Sequence, residues 1–152
     1  RERILLGESM GGFNAGVIGL REPGKFKKLA LVCPGVGIGA DGASDVESYI
    51  KTTGARPWYA KRLFSLGEMF FDSRQTVALQ SPLELLRKLN VKANPSLKIF
   101  ISCGRDDEYG FFKSSQTFAE TAEKHGLKVT WRPVDGGHCS LDSAALAEFL
   151  SN

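Results

Sequence analysis

The chain has 152 residues, enough for one domain, taken here as 1–152, with a sizeable core. Its 42% hydrophobic and 24% charged residues match an ordinary globular composition, and a net charge of +3 with Lys and Arg spread along the chain argues against a dedicated nucleic-acid surface. No apolar run approaches the length of a membrane span.

In chain order, Ile4–Leu6 reads as a strand that ends abruptly at Gly7-Glu8-Ser9-Met10-Gly11-Gly12. A helix is predicted from Met10 to Leu20, with Phe13, Val17 and Leu20 on one face. Gly12, Ala15, Gly16 and Gly19 make it a poor helix by propensity but suit close packing on a sheet, and Glu22-Pro23-Gly24 stops it. Leu29–Cys33 is a continuous apolar run, the pattern of a strand inside a parallel sheet. The glycine-rich stretch Pro34–Gly42 formally contains Gly37-x-Gly39-x-x-Gly42. Pro34 interrupts the turn, however, and no second strand with an acidic residue follows, so a sheet-edge loop is expected rather than a dinucleotide site.

Residues 43–94 show no strand pattern. Helices are predicted over Asp45–Lys51, Pro57–Phe71 and Pro82–Leu89, and Trp58, Tyr59, Phe64, Phe70 and Phe71 concentrate there. This excursion reads either as a cap over a site or as a crossover with its own core face. Leu97–Cys103 is the next strand, followed by a helix over Phe112–His125 with Gly126 at its end. A strand over Lys128–Pro133, a turn through Asp135-Gly136-Gly137 and a last helix over Leu141–Leu150 complete the chain. Strands alternating with helices imply an α/β fold with a parallel sheet.

Cys33, Cys103 and Cys139 leave an odd count without a C-x-x-C pair. Neither a disulfide framework nor a zinc site is therefore expected, and the default is free buried thiols in a reducing, cytoplasmic compartment.

The chemistry gathers at three places. Gly7-x-Ser9-x-Gly11 has the form of a nucleophile elbow, a sharp strand-to-helix turn that lifts a serine hydroxyl clear of a sheet. Side chains at Gly7 and Gly11 are expected to collide across such a turn. The Met10 N–H, at the helix start, is positioned to stabilise an oxyanion. Of the two histidines, His125 sits at a helix end and reads as structural, whereas His138 follows a strand and a flexible Gly-Gly turn and reads as a general base. Gly104-Arg105-Asp106-Asp107-Glu108 follows a strand at the same sheet edge, so any of its three carboxylates can orient His138; Asp135 and Asp142 rank lower. No metal-ligand spacing accompanies these acids.

Together these motifs resemble the C-terminal part of an α/β-hydrolase of the esterase branch that includes S-formylglutathione hydrolase, feruloyl esterases and enterochelin esterase-like proteins. Gly7–Gly12 resembles that branch's Ser-Met-Gly-Gly elbow, with Glu8 where histidine is frequent. Glu22–Phe26 resembles its helix end, Gly104–Asp107 its acid turn, and Gly136-Gly137-His138 its histidine loop. The resemblance singles out Asp107 as the acid. It implies a serine esterase that cleaves a carboxylic ester or thioester through an acyl-enzyme, needing no cofactor or metal. Ser9, Asp107 and His138 would be catalytic and Met10 an oxyanion donor; Trp58, read from the aromatic content of the 43–94 excursion, is a substrate contact if that excursion is a cap.

It further implies that this chain holds strands five to eight of the fold. The earlier strands, and the second oxyanion donor that follows the third of them, would lie in a part not included. With an open strand edge the isolated chain would then aggregate, form a homodimer through that edge, or need the missing half. Two alternatives use the same residues: acyl transfer or peptide cleavage, and a non-catalytic binding module of the same fold.

Overall fold

The computed structural model describes residues 2–22, 24–90, 92 and 96–152, and the backbone alone at Arg74. Its elements, in chain order, are β1 (Ile4–Glu8), α1 (Met10–Arg21), β2 (Lys28–Val32), α2 (Val46–Thr53), α3 (Pro57–Phe70), α4 (Arg74–Gln80), α5 (Pro82–Arg87), β3 (Lys98–Gly104), α6 (Phe111–Lys124), β4 (Lys128–Val134) and α7 (Ser143–Ser151). The four strands form one parallel sheet in the order β1-β2-β3-β4.

The interior strands are the apolar runs. β2 is buried throughout and β3 nearly so. Leu29, Leu31, Ile99, Phe100 and Ile101 are fully buried, each stabilising the fold by roughly 1.5–3 kcal/mol on transfer from water. Alternation along the strands divides the core. Leu29, Leu31, Ile99 and Ile101 face residues of α1, α5 and α6, while Ala30 and Phe100 face Ala145 and Phe149 of α7 on the other side. Lys28 is buried because its ammonium donates to Leu150 O (2.9 Å) at the C-terminal end of α7, where carbonyls lack helical partners.

The glycines of α1 serve close approach. A Cβ at Gly12 would meet Pro34 Cβ at 2.7 Å, one at Gly16 would meet Pro82 at 2.8 Å, and one at Gly19 would meet Leu29 at 3.2 Å. The helix therefore rests on β2, the loop beyond it and α5. Of the predicted stop, Glu22 caps α1 and Pro23 lies outside the described residues. The loop after β2 folds onto its own neighbours. Gly37 backs onto Ser114 and Gly39 onto Ala78, so these glycines are taken up by packing.

Among the described residues the excursion contains four α-helices where three were predicted, and no strand. Each expected start has its physical cause. Asp45 and Ser48 form a capping box on α2, Pro57 opens α3, and Ser81 caps α5. The additional helix, α4, is short and begins at Ser73, whose hydroxyl accepts from Thr76 N (3.1 Å).

The cysteine reading is corrected. Cys33 and Cys139, separated by 106 positions, form a disulfide with Cα atoms 4.9 Å apart, and only Cys103 is free and buried. Cys33 directly follows β2 and Cys139 lies in the loop beyond β4, so the bond spans the end of β3. Once two of the three thiols are paired, the odd count no longer argues for a reducing compartment.

Candidate active site

Three segments that leave the sheet at its C-terminal edge build the site. In the first, β1 passes into α1 with Ser9 at the apex, at a positive φ (φ 53°, ψ −117°). The turn is tied down by Ser9 N donating to Val32 O (2.9 Å) and Phe13 N donating to Ser9 O (3.1 Å). Gly7 is required here, since a Cβ would run into Gly11 O and approach Gly12 N at 2.8 Å. Gly11 does not share this role. No atom lies within 4 Å of a Cβ built there, which corrects the expectation that both glycines avoid a collision. Met10 is the first residue of α1, so its N–H is one of the helix donors without an intrahelical acceptor.

The second segment is the acid turn after β3. Asp107 is buried and Asp106 is exposed. Asp107 Oδ1 accepts from Tyr109 N (2.9 Å) and Phe111 N (3.2 Å), which fixes the carboxylate plane. Its Oδ2 accepts from His138 Nδ1 (2.7 Å) and, more weakly, from the Cys103 thiol (3.7 Å). Burial pushes the Cys103 thiol up, and the Asp107 charge adds to this, so the sulfur keeps its proton and donates.

The third segment is the histidine loop after β4. It crosses the end of β3 closely: a Cβ on Gly104 would strike the carbonyls of Gly136 and Gly137. Asp106 N donates to Gly136 O (3.0 Å) and Arg105 N to Val134 O (2.9 Å), fastening this loop to the acid turn. His138 Nε2 lies 2.9 Å from Ser9 Oγ. A carboxylate only accepts, so Nδ1 carries the proton toward Asp107, leaving Nε2 as the acceptor for the serine hydroxyl. The imidazole packs against both Tyr109 (4.7 Å) and Phe111 (5.8 Å), whose rings stack on each other at 5.4 Å.

Glu108, one of the three candidate acids, has a role that sequence reasoning missed. Its Oε2 accepts from the backbone N–H of His138 at 2.6 Å, and its Oε1 faces Arg56 at 3.8 Å. The His138 hydrogen bond is the main reason its carboxyl is held below its ordinary value of 4.5. The available signal was adjacency: neighbouring positions in a tight turn point in different directions, so one carboxylate reaches the ring while the next reaches the loop backbone.

The remaining candidates fall elsewhere. Asp135 is exposed and pairs with Arg105 (3.3 Å), Asp142 caps α7 through Ala145 N (3.0 Å), and His125 caps the end of α6. Trp58 is 62% exposed on the first turn of α3. It meets Tyr59 edge-on (4.9 Å), Tyr59 meets Tyr109 (4.9 Å), and Tyr109 touches His138, so a file of aromatic rings leads from Trp58 to the imidazole. Deeper in the excursion, a cavity of about 200 Å³ lies between α3 and the loop after β2, lined by Ile38, Tyr49, Leu63, Phe64, Phe71 and Val77 among others. Phe71 contacts Phe13, one turn along α1 from Ser9.

No protein-family model and no curated protein matches this sequence. Solved structures do match its fold. A ferulic acid esterase superposes with a TM-score of 0.58 at 19% identity, over 92% of this chain and 46% of its own. Carboxyl esterase 2 from the mycorrhizal fungus Tuber melanosporum gives 0.64 at 16% identity, over 89% and 44%. The capsule O-acetyltransferase of Neisseria meningitidis serogroup A gives 0.53 at 20% identity, over 96% and 51%. The chain thus spans about half the length of the solved structures it matches. Its four parallel strands and flanking helices have the fold of part of the esterase structures it resembles, the α/β-hydrolase fold.

Proposed function

We propose that this chain carries the nucleophile, base and acid of a serine esterase acting on carboxylic esters or thioesters. The observation that carries the reading is the unbroken chain of hydrogen bonds from Ser9 Oγ through His138 to Asp107, at 2.9 and 2.7 Å. Ser9 Oγ attacks the ester carbonyl while His138 Nε2 takes its proton. Asp107 holds the imidazole in the Nδ1–H tautomer and stabilises the imidazolium. The carbonyl oxygen becomes an oxyanion beside the Met10 N–H and the start of α1. His138 then returns the proton to the leaving alcohol or thiol as the tetrahedral intermediate collapses to an acyl-serine. A water molecule, deprotonated by the same imidazole, releases the acid.

Acyl transfer to an acceptor other than water is the second reading. The fold likeness to an O-acetyltransferase supports it, because the same triad serves both outcomes. The aromatic file ending at Trp58 supports a substrate-contacting role for the excursion.

The test is covalent labelling with a fluorophosphonate, located by peptide mass spectrometry. The expected result is one adduct on Ser9, absent in Ser9→Ala, with Ser9→Ala also lowering p-nitrophenyl ester turnover by several orders of magnitude. Unlabelled Ser9 in a protein that hydrolyses the ester, or Ser9→Ala with more than about a tenth of the wild-type rate, refutes the assignment. Adding alcohol acceptors separates the readings: new ester formation at the expense of free acid favours transfer.

A further inference from the structure

The hydrolase reading leaves the Cys33–Cys139 bond unused, yet this bond sits against the base itself. Cys139 directly follows His138, and Cys33 Sγ, Cys139 Sγ and a ring nitrogen of His138 all lie within 4.8 Å of one another. We propose that reducing this disulfide opens a two-thiolate, one-imidazole site for a thiophilic divalent metal such as Zn²⁺.

The donor set has the right chemistry and nearly the right spacing. Zinc binds cysteine sulfur at about 2.3 Å and histidine nitrogen at about 2.0–2.1 Å, so tetrahedral donors lie roughly 3.5–3.8 Å apart. The present ligand atoms reach that spacing by side-chain rotation, because the Cα atoms of the two cysteines are already 4.9 Å apart. The backbones that carry them are anchored independently of the sulfur bond. Cys33 N donates to Ser102 O (2.7 Å) beside β3. On the other side Glu108 holds His138 N, and Ser140 N donates to Gly137 O (3.1 Å). Cys33 is buried while His138 and Cys139 are partly exposed, so the site is open on one side, where water supplies a fourth ligand. Cys103 takes no part, since its thiol points to Asp107.

The chemistry balances in two steps. A trialkylphosphine gives two electrons to the disulfide and becomes its phosphine oxide; the oxygen and the two thiol protons come from water. Zinc then displaces both thiol protons on binding. A His138 nitrogen that ligates zinc is withdrawn from Ser9 or Asp107, so metal and triad exclude each other. That consequence rests on the proposed hydrolase function, whereas the metal titration does not.

The experiment titrates Co²⁺, then competing Zn²⁺, into the phosphine-reduced chain and into the unreduced chain. Absorption reads out binding and circular dichroism reads out fold. Expected for the reduced, still helical chain is one equivalent of cobalt, with a near-ultraviolet thiolate-to-cobalt band and the visible bands of a tetrahedral ion. The unreduced chain should show neither. Cys33→Ser, Cys139→Ser and His138→Ala should each weaken binding by roughly 100-fold or more, beyond the roughly 10–100-fold typical of losing a supporting contact.

Equal binding to the unreduced chain, no binding to the reduced one, unchanged affinity in His138→Ala, or loss of helical signal on reduction each overturns the proposal. Cobalt binding as expected with a Ser9 inert to fluorophosphonate would leave the metal site standing and remove the hydrolase reading.

Discussion

Removing the Glu108 carboxylate should loosen the histidine loop without touching the imidazole. The bond at stake is the charge-assisted one from His138 N, at 2.6 Å on a carboxylate whose side chain is 19% exposed. Such bonds contribute about 1.5–3 kcal/mol, so Glu108→Ala should cost about 2 kcal/mol. The Arg56 contact, at 3.8 Å with the arginine largely exposed, adds little. For a chain of this length 1 kcal/mol moves the melting temperature by about 2–4 °C, giving a fall of about 4–8 °C for Ala. Glu108→Gln keeps a neutral acceptor and should lose about half as much. The pH dependence has a fixed sign. Glu108 is held below its ordinary value of 4.5, so its contribution is complete above that value and is lost as pH falls through the lower folded value. The gap between wild type and Glu108→Gln should therefore be flat from pH 7 to about 5 and close below that. Scanning calorimetry across pH measures this, alongside the rate of Ser9 phosphonylation. A Glu108→Ala protein that melts within a degree of wild type and labels at the same rate would refute the account.

Asp107→Asn should slow phosphonylation by roughly 10³–10⁴-fold and Asp106→Asn by less than about twofold, since only Asp107 is buried against His138; comparable losses would undo the assignment. Gly11→Ala should be neutral or stabilising by about 0.5–1 kcal/mol, because the added methyl meets open space on a helix, whereas Gly12→Ala should destabilise by about 1–3 kcal/mol against Pro34; chemical denaturation orders the two. Trp58→Ala should shift the preference between short and long acyl p-nitrophenyl esters while moving the melting temperature by no more than about 2 °C. The opposite pattern would make Trp58 a structural residue.

What could be read from the residues was whatever local chemistry dictates. β2 and β3 announced themselves as apolar runs, whereas β4, which contains Lys128, Thr130 and Arg132, was legible only as β-forming residues between Gly126 and the Asp135-Gly136-Gly137 turn. The turn at Ser9, the turn after β3 and the loop carrying His138 stood out because each concentrates particular residue types within a few positions. Helix α4 escaped because Gln75-Thr76-Val77-Ala78-Leu79 is too short to show a period, although Ser73 was a fair start signal. Gly7 and Gly11 looked alike in sequence, and only the path of α1 over Gly7 distinguishes them. The disulfide was invisible for a different reason. Its partners are 106 positions apart and follow strands that are not neighbours, β2 and β4, and they meet only because the loop after β4 doubles back over β3. Glu108 was legible only as one of three possible partners for the His138 ring, because its actual partner is a backbone N–H, which no side-chain pattern marks.

The backbone at Ser9 has a bearing on selection rather than on chemistry. A residue with a Cβ at φ 53°, ψ −117° occupies a region that costs on the order of 1–3 kcal/mol, and glycine would relieve it. Judged by the fold alone, position 9 is among the easiest to improve in the molecule, and a chain maintained only as a scaffold would be free to drift to glycine there. The serine instead sits in tension with the stability of the structure that displays it. Under the proposed hydrolase function, that tension is the cost of holding the Ser9 hydroxyl at the turn.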